Sequence, residues 1–370
     1  MSTRIVAAVL NTAPGPLEIE ELVIDDPGPD EVLVKVAYAG LCHSDLHEID
    51  GTFQSQPPIV LGHEAVGRVV AVGSGVSEFA AGDTVVTCLS VYCGTCEYCV
   101  TGRQTLCVNR SRLQQQRSRP RLTKRDGRPV RPTAGVGAFA EMMLVHKNSL
   151  VSIPDNIRLE TASVLGCAVT TGMGAVLHSA SVHTGHSVAV IGLGGVGFAA
   201  VQAAQLAGAA QIIGIDVVPG KLERALHFGA THVVNAREAD PVAAVRAITG
   251  TGVHHAFEAV GSGTTAGQAF AMLRPGGTAT VMGMIPDSQP IPVRGAELFL
   301  EEKRIQGSFM GSNHFKVDVP LYVHFNRIGL LHLDDLVTAR CDLATINDGF
   351  KALASGQEIR VVARVGEACT

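Results

Sequence analysis

The feature that most constrains the fold is a regular alternation of strand and helix patterns between residues 187 and 283. Strand patterns alternate with helix patterns in this order: 187–192, 198–208, 211–216, 219–230, 232–235, 241–250, 254–261 and 277–283. Strands that alternate with helices form a parallel sheet, because right-handed crossovers place helices on both of its faces. The alternation therefore predicts an α/β domain built on a doubly wound parallel sheet of the Rossmann type.

The first third of the chain follows a different pattern. Residues 32–40 and 67–76 are rich in β-branched side chains and bounded by Gly, Pro or Asp, as is typical of strands. A length of 370 residues also favours two domains over one. We expect a β-rich domain over residues 1–168, a nucleotide-binding domain inserted at 169–308, and a return to the first domain at 309–370.

Charge and hydropathy bear on the partners of the protein. A formal net charge of -5 argues against a surface that binds nucleic acid or membrane as a whole. The uncharged stretch Ser187–Ile215 is long enough to cross a bilayer, but glycines and three glutamines interrupt it. We interpret it as a buried strand–turn–helix–strand. The N-terminus carries no convincing signal peptide, and a cytoplasmic protein is expected.

Four of the nine cysteines fall within fifteen residues. They have the spacing C-x2-C-x2-C-x7-C and are Cys93, Cys96, Cys99 and Cys107. Thiolates at this spacing can surround a tetrahedral Zn²⁺ with no position left for substrate. An iron–sulfur cluster or four reduced, unliganded thiols are the alternatives, although the Cys-Pro ending of the ferredoxin pattern is missing. The loop therefore predicts a structural zinc site.

A glycine-rich turn follows the first strand of the alternation. The motif GLGGVG comprises Gly192, Leu193, Gly194, Gly195, Val196 and Gly197. In such a turn the first glycine permits the bend, the second lets a pyrophosphate approach, and the third lets helix pack on strand. Asp216 ends the next strand, where a carboxylate accepts from ribose hydroxyls and repels a 2′-phosphate. The motif predicts a bound dinucleotide, NAD in preference to NADP.

Three further residues are informative because of their positions relative to these motifs. Cys42 lies in GLCHSDLH, His63 in GHE and Cys167 in LGCAVTTG. Together with the cysteine loop, GLGGVG and the ending DGFKALASGQEIRVV, they resemble the zinc-dependent medium-chain alcohol dehydrogenase family over nearly the whole chain. The long segment after Cys107 is similar to the branch that includes liver-type enzymes and glutathione- or mycothiol-dependent formaldehyde dehydrogenases.

The resemblance implies a GroES-like catalytic domain that carries two Zn²⁺ ions per chain. Cys42, His63 and Cys167 would hold the second, catalytic ion and leave one position open, a ligand set known for alcohol dehydrogenase. A metal ion at an open position lowers the pKa of a bound hydroxyl, which favours hydride loss to NAD⁺. Glu64 adjoins His63 and is expected to support the metal site. The alternative is an ordinary surface acid.

Further residues match family positions for proton transfer and cofactor binding. Ser44 and His47 match a relay that carries the alcohol proton to solvent, a role suited to an imidazole that titrates near neutral pH. His47 could instead be a surface histidine. The family match also assigns cofactor contacts to His43, Thr171, Lys221 and Arg360. Lys221 could instead be a helix-surface lysine without function.

Substrate identity is weakly encoded. Leu89 matches a pocket position that is often aromatic in the family, which favours a bulky or aromatic primary alcohol or its aldehyde. Three alternatives stay open: a thiol-dependent formaldehyde dehydrogenase, an enzyme with non-exchanging NAD(H), and a non-catalytic protein that binds zinc and NAD.

The family pattern also favours a homodimer. Residues 108–131 hold nine basic residues and one acid, and we expect a solvated loop or, alternatively, a site for an acidic partner.

Overall fold

A computed structural model describes residues 3–115, 117 and 119–366. The chain forms two compact units. The larger unit comprises Met1–Cys167 and His314–Thr370, and the smaller unit comprises Ala168–Asn313. The smaller unit is thus an insertion in the chain of the larger one.

The described residues form eighteen strands. In chain order they are β1 Thr3–Leu10, β2 Leu17–Ile24, β3 Glu31–Leu41, β4 Ile59–Val60, β5 Ala65–Val72, β6 Thr84–Thr87, β7 Leu122–Lys124, β8 Pro129–Pro132, β9 Met142–His146, β10 Leu150–Ser152, β11 Ser187–Ile191, β12 Gln211–Asp216, β13 His232–Asn235, β14 Val253–Glu258, β15 Leu273–Val281, β16 Arg304–Gly307, β17 Ala339–Asp342 and β18 Val361–Arg364.

Twelve α-helices accompany these strands in the described part of the chain. In chain order they are α1 His43–Ile49, α2 Glu97–Val100, α3 Arg110–Gln115, α4 Leu159–Ala162, α5 Thr170–Gly174, α6 Gly195–Leu206, α7 Pro219–His227, α8 Pro241–Thr249, α9 Gly263–Ala271, α10 Gly295–Leu300, α11 Phe315–Arg327 and α12 Ile346–Ala354.

The larger unit is built on two sheets. Strands β1, β2, β7, β8 and β4 close into a barrel, and a second sheet has the order β10-β6-β5-β3-β18-β17 with β9 paired to β3. Strand β3 is central, because β5, β9 and β18 all pair with it antiparallel. The last part of the chain therefore completes the sheet that the first part begins. A continuous apolar core joins residues from both parts, among them Leu41, Phe139 and Phe350.

The smaller unit contains one six-stranded sheet. Its order is β13-β12-β11-β14-β15-β16, and every neighbouring pair is parallel. Numbered within the unit this is the order 3-2-1-4-5-6, which defines the doubly wound dinucleotide-binding fold. The strand order reverses between β11 and β14, where ligands of such sheets bind. The predicted Rossmann fold is confirmed.

The uncharged stretch 187–215 folds inside this unit. Strand β11 is buried along its whole length, and helix α6 packs a face of small residues on the sheet before the chain continues into β12. The prediction of a strand–turn–helix–strand is confirmed. One helical segment of the described chain, Leu159–Ser179, is long and apolar enough to cross a membrane, but 89% of its most apolar window is buried within the protein.

The arginine-rich segment is partly built into the larger unit. Arg117 lies 2.7 Å from Asp25 and 3.1 Å from Glu31, and Arg121 Nε lies 2.8 Å from Glu31 Oε1. The side chain of Arg121 is 6% exposed. The expectation of a solvated loop is therefore wrong for these two arginines, because carboxylates from the β2–β3 region compensate their charge inside the unit.

Candidate active site

The four clustered cysteines converge as their spacing predicts. Cys96 is the N-cap of α2, Cys99 lies within that helix, and Cys107 follows a short 3-10 turn. The sulfur atoms of Cys96 and Cys99 are 3.4 Å apart, and Cys93–Cys99 and Cys96–Cys107 are both 3.9 Å apart. Tetrahedral Zn–S bonds of about 2.3 Å place sulfurs roughly 3.8 Å apart, so the arrangement fits zinc.

Hydrogen bonds and pKa values agree with this fit. The backbone N–H groups of Thr95 and Cys96 donate to Cys93 Sγ, as does the side-chain amide of Asn109. Hydrogen bonds from Thr95 and Asn109 lower the pKa of Cys93 to about 5, whereas burial and the neighbouring thiols raise the pKa of Cys99 to about 12. Four thiols this close can all ionise only when a cation neutralises them, which is what a structural metal does.

The other three predicted ligands also meet within the larger unit. Cys42 is the N-cap of α1, His63 lies in the turn between β4 and β5, and Cys167 lies in a wide helical turn over Leu165–Val169. Turns of this π type occur often at functional sites. Gly166 permits the position of Cys167, because a Cβ there would lie 1.8 Å from the carbonyl oxygen of Thr87.

The geometry of the trio fits a metal ion. One potential ligand atom from each of Cys42, His63 and Cys167 lies within 4.8 Å of the other two. His63 Nε2 is buried and has no nitrogen or oxygen partner among the described residues. Two sulfurs and one imidazole nitrogen form the Cys₂His donor set of a catalytic zinc site with three protein ligands.

The charges around the trio favour a cation as well. A hydrogen bond from the Cys167 thiol, with His63 and Arg360 nearby, holds the pKa of Cys42 well below its usual value. The Cys42 sulfur and burial in turn raise the pKa of Cys167. The thiol of Cys167 thus stays protonated, because it donates a hydrogen bond to the neighbouring Cys42 thiolate. A divalent cation removes this conflict because it stabilises both thiolates at once.

Asp45 orders two of the three ligands. Its side chain is buried, and its Oδ2 accepts from the backbone N–H of Cys42 at 3.2 Å. Its Oδ1 accepts from the backbone N–H of Gly62 at 3.0 Å and lies 3.2 Å from His63 Nδ1. A carboxylate that accepts from Nδ1 fixes the ring so that Nε2 is presented to the metal position. Sequence reasoning missed Asp45, although an acid at the third position of a helix indicates a capping box.

Glu64 is not a surface acid. Its side chain is fully buried, and its Oε2 lies 3.3 Å from Nη2 of the buried Arg360. Arg360 Nη1 also donates to the carbonyl oxygen of Leu41 at 2.9 Å. Burial alone would lower the pKa of Arg360, but the charges of Glu64, Cys42 and Cys167 raise it. The residue predicted to bind the cofactor therefore lies beside the predicted metal site and pairs with Glu64.

The proposed relay residues share helix α1 with Cys42 and Asp45. Ser44 is half-buried in the first turn of the helix, and His43 beside it is exposed. His47 is in the last turn, its side chain 27% exposed, with Nδ1 3.9 Å from Asp50 Oδ2 and the ring edge-on to Phe53. His47 Nδ1 is a buried atom with no hydrogen-bond partner among the described residues.

The glycine motif lies at the point where the strand order of the smaller unit reverses. Gly192 adopts φ +91° after β11, and Gly194 is the N-cap of α6. A Cβ at Gly197 would lie 1.9 Å from the carbonyl oxygen of Gly192, whereas a Cβ at Gly194 would meet no atom within 4 Å. The turn is thus tightly packed on the helix side and open where a pyrophosphate would approach. The N–H groups at the start of α6, from Gly195 and Val196 onwards, suit an anion.

Asp216 connects this turn to the neighbouring strand. It ends β12, and its Oδ2 accepts from the backbone N–H of Leu193 at 2.7 Å. Its Oδ1 accepts from the N–H groups of Val217 and Val218. Lys221 is 8% exposed, so the interpretation as a helix-surface lysine is wrong. Thr171 is buried in α5, with its hydroxyl 3.7 Å from the sulfur of Met310.

Two protein-family models match the chain, over two separate ranges of residues. Residues 28–155 match the alcohol dehydrogenase GroES-like domain, and residues 195–324 match the zinc-binding dehydrogenase family. The first range contains Cys42, His63 and the four-cysteine loop, and the second begins inside the glycine motif, at Gly195.

Known proteins resemble the chain over almost its full length. A putative alcohol dehydrogenase D of Mycobacterium tuberculosis is 39% identical, with 96% of this chain and 98% of that protein covered. An NDMA-dependent alcohol dehydrogenase of Amycolatopsis methanolica is 38% identical, with 96% and 97% covered. The crystal structure of benzyl alcohol dehydrogenase from Acinetobacter calcoaceticus superposes with a TM-score of 0.91 at 32% identity, with 98% and 100% covered.

The fold, the two clusters of ligands and these similarities define a class of enzyme. The chain belongs to the zinc-dependent medium-chain alcohol dehydrogenase family. It is an oxidoreductase that acts on alcohols, and zinc is its metal.

Proposed function

We propose that the protein uses two Zn²⁺ ions and NAD to interconvert a primary, aromatic or bulky alcohol and its aldehyde. In this proposal the larger unit is the catalytic domain and the smaller unit binds the cofactor. The observation that carries it is the meeting of Cys42, His63 and Cys167 within 4.8 Å, with His63 oriented by Asp45.

The trio would hold the catalytic ion, while Cys93, Cys96, Cys99 and Cys107 would hold the structural one. Bound zinc would make the substrate hydroxyl more acidic, and bound NAD⁺ would accept the hydride. Two buried contacts would hold the trio in place. Asp45 orients the imidazole of His63, and the buried ion pair between Glu64 and Arg360 lies beside the trio.

The proton released from the substrate has to leave a buried site. We assign its transfer to Ser44 and His47, which occupy successive turns of α1. The hydroxyl of Ser44 can accept and donate a proton, and an imidazole can release one to solvent. The partly exposed position of His47, whose Nδ1 makes no hydrogen bond within the described residues, supports this role.

The cofactor would lie at the switch point of the smaller unit. Its pyrophosphate would face the open side of Gly194 and the N–H groups of Gly195 and Val196, and the adenosine ribose would face Asp216. His43, Thr171, Lys221 and Arg360 keep their family-based assignment as cofactor contacts. Among the described residues, the Asp216 side chain accepts from backbone N–H groups and forms no ion pair, and a carboxylate here supports NAD in preference to NADP.

The substrate class depends on Leu89. This residue is half-buried and follows β6 closely in the chain. A leucine occupies less volume than the aromatic residue frequent at this family position, so the pocket would accept a larger alcohol. A solved relative that acts on benzyl alcohol agrees with this assignment.

An alcohol panel with purified protein tests the proposal. NADH formation at 340 nm should be faster with benzyl alcohol than with ethanol, faster with NAD⁺ than with NADP⁺, and independent of glutathione or mycothiol. Cys42→Ala should abolish it. Cys341→Ala is the matched control, because Cys341 is a half-buried free thiol outside both clusters.

Three results would replace the proposal with a defined alternative. Activity on formaldehyde alone and only with an added thiol would indicate the thiol-dependent enzyme. Nucleotide released from the denatured protein, with turnover only in the presence of an artificial electron acceptor, would indicate non-exchanging NAD(H). One zinc per chain and no turnover would indicate a binding protein without catalysis.

We also propose a cytoplasmic homodimer. Strand β16 is an edge of the six-stranded sheet, and the preceding helix α10 exposes Phe299 at 80% and Leu300 at 74%. Leu298, Phe299 and Leu300 are consecutive and exposed, and contiguous exposed apolar patches mark protein–protein interfaces. Two thiolate metal sites also need a reducing compartment. Light scattering should give twice the chain mass for the wild type and the chain mass for Leu300→Asp.

A further inference from the structure

A cavity opens in the smaller unit at the amino-terminal ends of its parallel strands. The glycine turn and Asp216 lie at the carboxyl ends of β11 and β12. This cavity therefore lies at the other end of the same strands. It measures about 470 Å³. Its lining includes four histidines and two arginines: His183, His186, His254, His255, Arg274 and Arg304.

The parallel register brings the histidines together. His183 and His186 precede β11, whereas His254 and His255 are the second and third residues of β14. Because Val188 pairs with His255 in the sheet, the two pairs meet at one edge. The rings of His186 and His254 stack at 4.5 Å, and His186 Nδ1 lies 3.0 Å from His255 Nε2.

An irregularity in the sheet adds a guanidinium to this group. Leu273 of β15 pairs with Val253, but the next pair joins His255 to Thr278, so the residues from Arg274 to Gly277 bulge out of the ladder. Bulges re-aim side chains and are frequent at functional sites. Arg274 Nη1 here lies 2.8 Å from His254 Nε2.

The cavity carries uncompensated positive charge. No Asp or Glu is among its lining residues. Within the described part of the chain, the side chain of Arg274 hydrogen-bonds His254 and has no carboxylate partner, and Arg304 has no ion-pair partner. Arg274 is half-buried and Arg304 is exposed, so the two guanidinium groups leave a positively charged lining whose forked N–H donors an anion can join.

We propose that this cavity binds an oxyanion, either free phosphate or the phosphate group of a small metabolite. Arg274 and Arg304 supply forked N–H donors that match phosphate oxygens, and each neutral histidine ring can supply one further N–H donor. A volume of about 470 Å³ leaves room for a group attached to the phosphate.

A transition metal is the competing occupant, and the hydrogen bonds disfavour it. The backbone N–H of His183 donates to His186 Nδ1 at 3.2 Å, and that of Ser187 donates to His254 Nδ1 at 3.0 Å. These nitrogens are therefore engaged. In the described residues, the histidine cluster is not among the groups whose ligand atoms converge on one point. The adjacent guanidinium would also repel a cation.

Calorimetric titration of the zinc-loaded protein, saturated with NAD so that the dinucleotide site is filled, tests the proposal. Inorganic phosphate, glycerol phosphate and NiCl₂ are the three titrants, at ionic strength matched with NaCl. Phosphate or glycerol phosphate should bind, and the double variant Arg274→Gln/Arg304→Gln should weaken that binding by about tenfold or more. Arg294→Gln, an 82% exposed arginine of the same unit outside the cavity, should bind as the wild type does.

The three titrants and the variants together distinguish the possible outcomes. Tighter binding of glycerol phosphate would identify a phosphate ester as the ligand class, and equal or tighter binding of inorganic phosphate would identify the free ion. Phosphate binding that equals that of the wild type in the double variant, no binding of either phosphate, or binding of Ni²⁺ alone would each overturn the proposal. If the double variant does not fold, the exposed His183→Gln provides the test, with at least a threefold loss of affinity expected as an order of magnitude.

Discussion

Asp45 Oδ1 lies 3.2 Å from His63 Nδ1, and the same carboxylate holds the backbone N–H groups of Cys42 and Gly62. One buried side chain thus fixes the positions of two residues of the proposed metal-binding trio. The contact explains how a helix N-terminus and a turn between two strands can present a metal site with defined geometry. It also gives a test that does not alter any ligand.

Asp45→Ala should weaken retention of the catalytic zinc by about ten- to a hundredfold, because His63 loses the partner that orients its ring. Zinc release to a chelator, followed by mass spectrometry of the metal, measures this. Asp50→Ala on the same helix is the control, since Asp50 is exposed and contacts His47 only at 3.9 Å. Equal zinc retention in Asp45→Ala and Asp50→Ala would show that the contact does not support the site.

Cys93→Ser should remove one zinc per chain and lower the melting temperature by several degrees, because metal binding in a closed four-cysteine site is coupled to folding. The catalytic ion should remain. Metal content and thermal unfolding give the two readouts, with Cys341→Ser as the control. A variant that keeps both ions would contradict a structural role for the loop.

Asp216→Gly should raise the ratio of kcat/KM with NADP⁺ to that with NAD⁺ by about tenfold, because the negative charge at the end of β12 is removed. Since Asp216 also accepts from the backbone of Leu193, Asp216→Asn serves as a conservative control that keeps an acceptor there. It should shift the ratio in the same direction with less loss of NAD⁺ activity. An unchanged ratio in both variants would refute the assigned role.

His47→Gln should reduce turnover by about tenfold or more near pH 6.5 and much less at pH 9, where hydroxide can take the proton directly. Glutamine preserves size and polarity but cannot carry a proton. The measurement is kcat as a function of pH for the variant and the wild type. Parallel profiles would remove His47 from the proton path.

His255 gives a prediction for acid stability. Burial, together with the neighbouring His186, His254 and His183, lowers the pKa of His255 from 6.5 to about 4. In the unfolded chain this group takes up its proton near pH 6.5, so the free energy of unfolding falls between about pH 6.5 and 4. His255→Gln should lose less stability over that range, by on the order of 1 kcal/mol.

Chemical denaturation at pH 7 and pH 5 measures this difference, and the exposed His232→Gln provides the control. Both variants and the wild type share any loss of zinc in acid, so the comparison isolates His255. A pH dependence equal to that of the wild type would show that His255 is already protonated, or is not strained, in the native state.

Local patterns made much of this molecule predictable. The four cysteines lie in one loop, so their spacing alone indicated a tetrahedral site. The turn at Gly192–Gly197 was predictable for the same reason, since strand, turn and helix follow one another directly in the chain. Similarity to a family supplied Cys42, His63 and Cys167, whose wide separation no local pattern could bridge.

The remaining contacts depend on tertiary packing. The pairing of Glu64 with Arg360 requires β18 to return beside β3, and the pairing of Arg121 with Glu31 requires the arginine-rich segment to fold back on the sheet. A run of like charges in the sequence does not reveal carboxylates that lie far away in the chain. The histidine cavity likewise exists only because β11 and β14 are neighbours.

Anomalous diffraction at the zinc absorption edge tests the central claim most directly. The account predicts two anomalous peaks per chain, one among the four sulfurs of the cysteine loop and one within about 2.3 Å of the sulfurs of Cys42 and Cys167 and about 2.1 Å of His63 Nε2. A single peak in the cysteine loop, from crystals grown with zinc in excess, would contradict it.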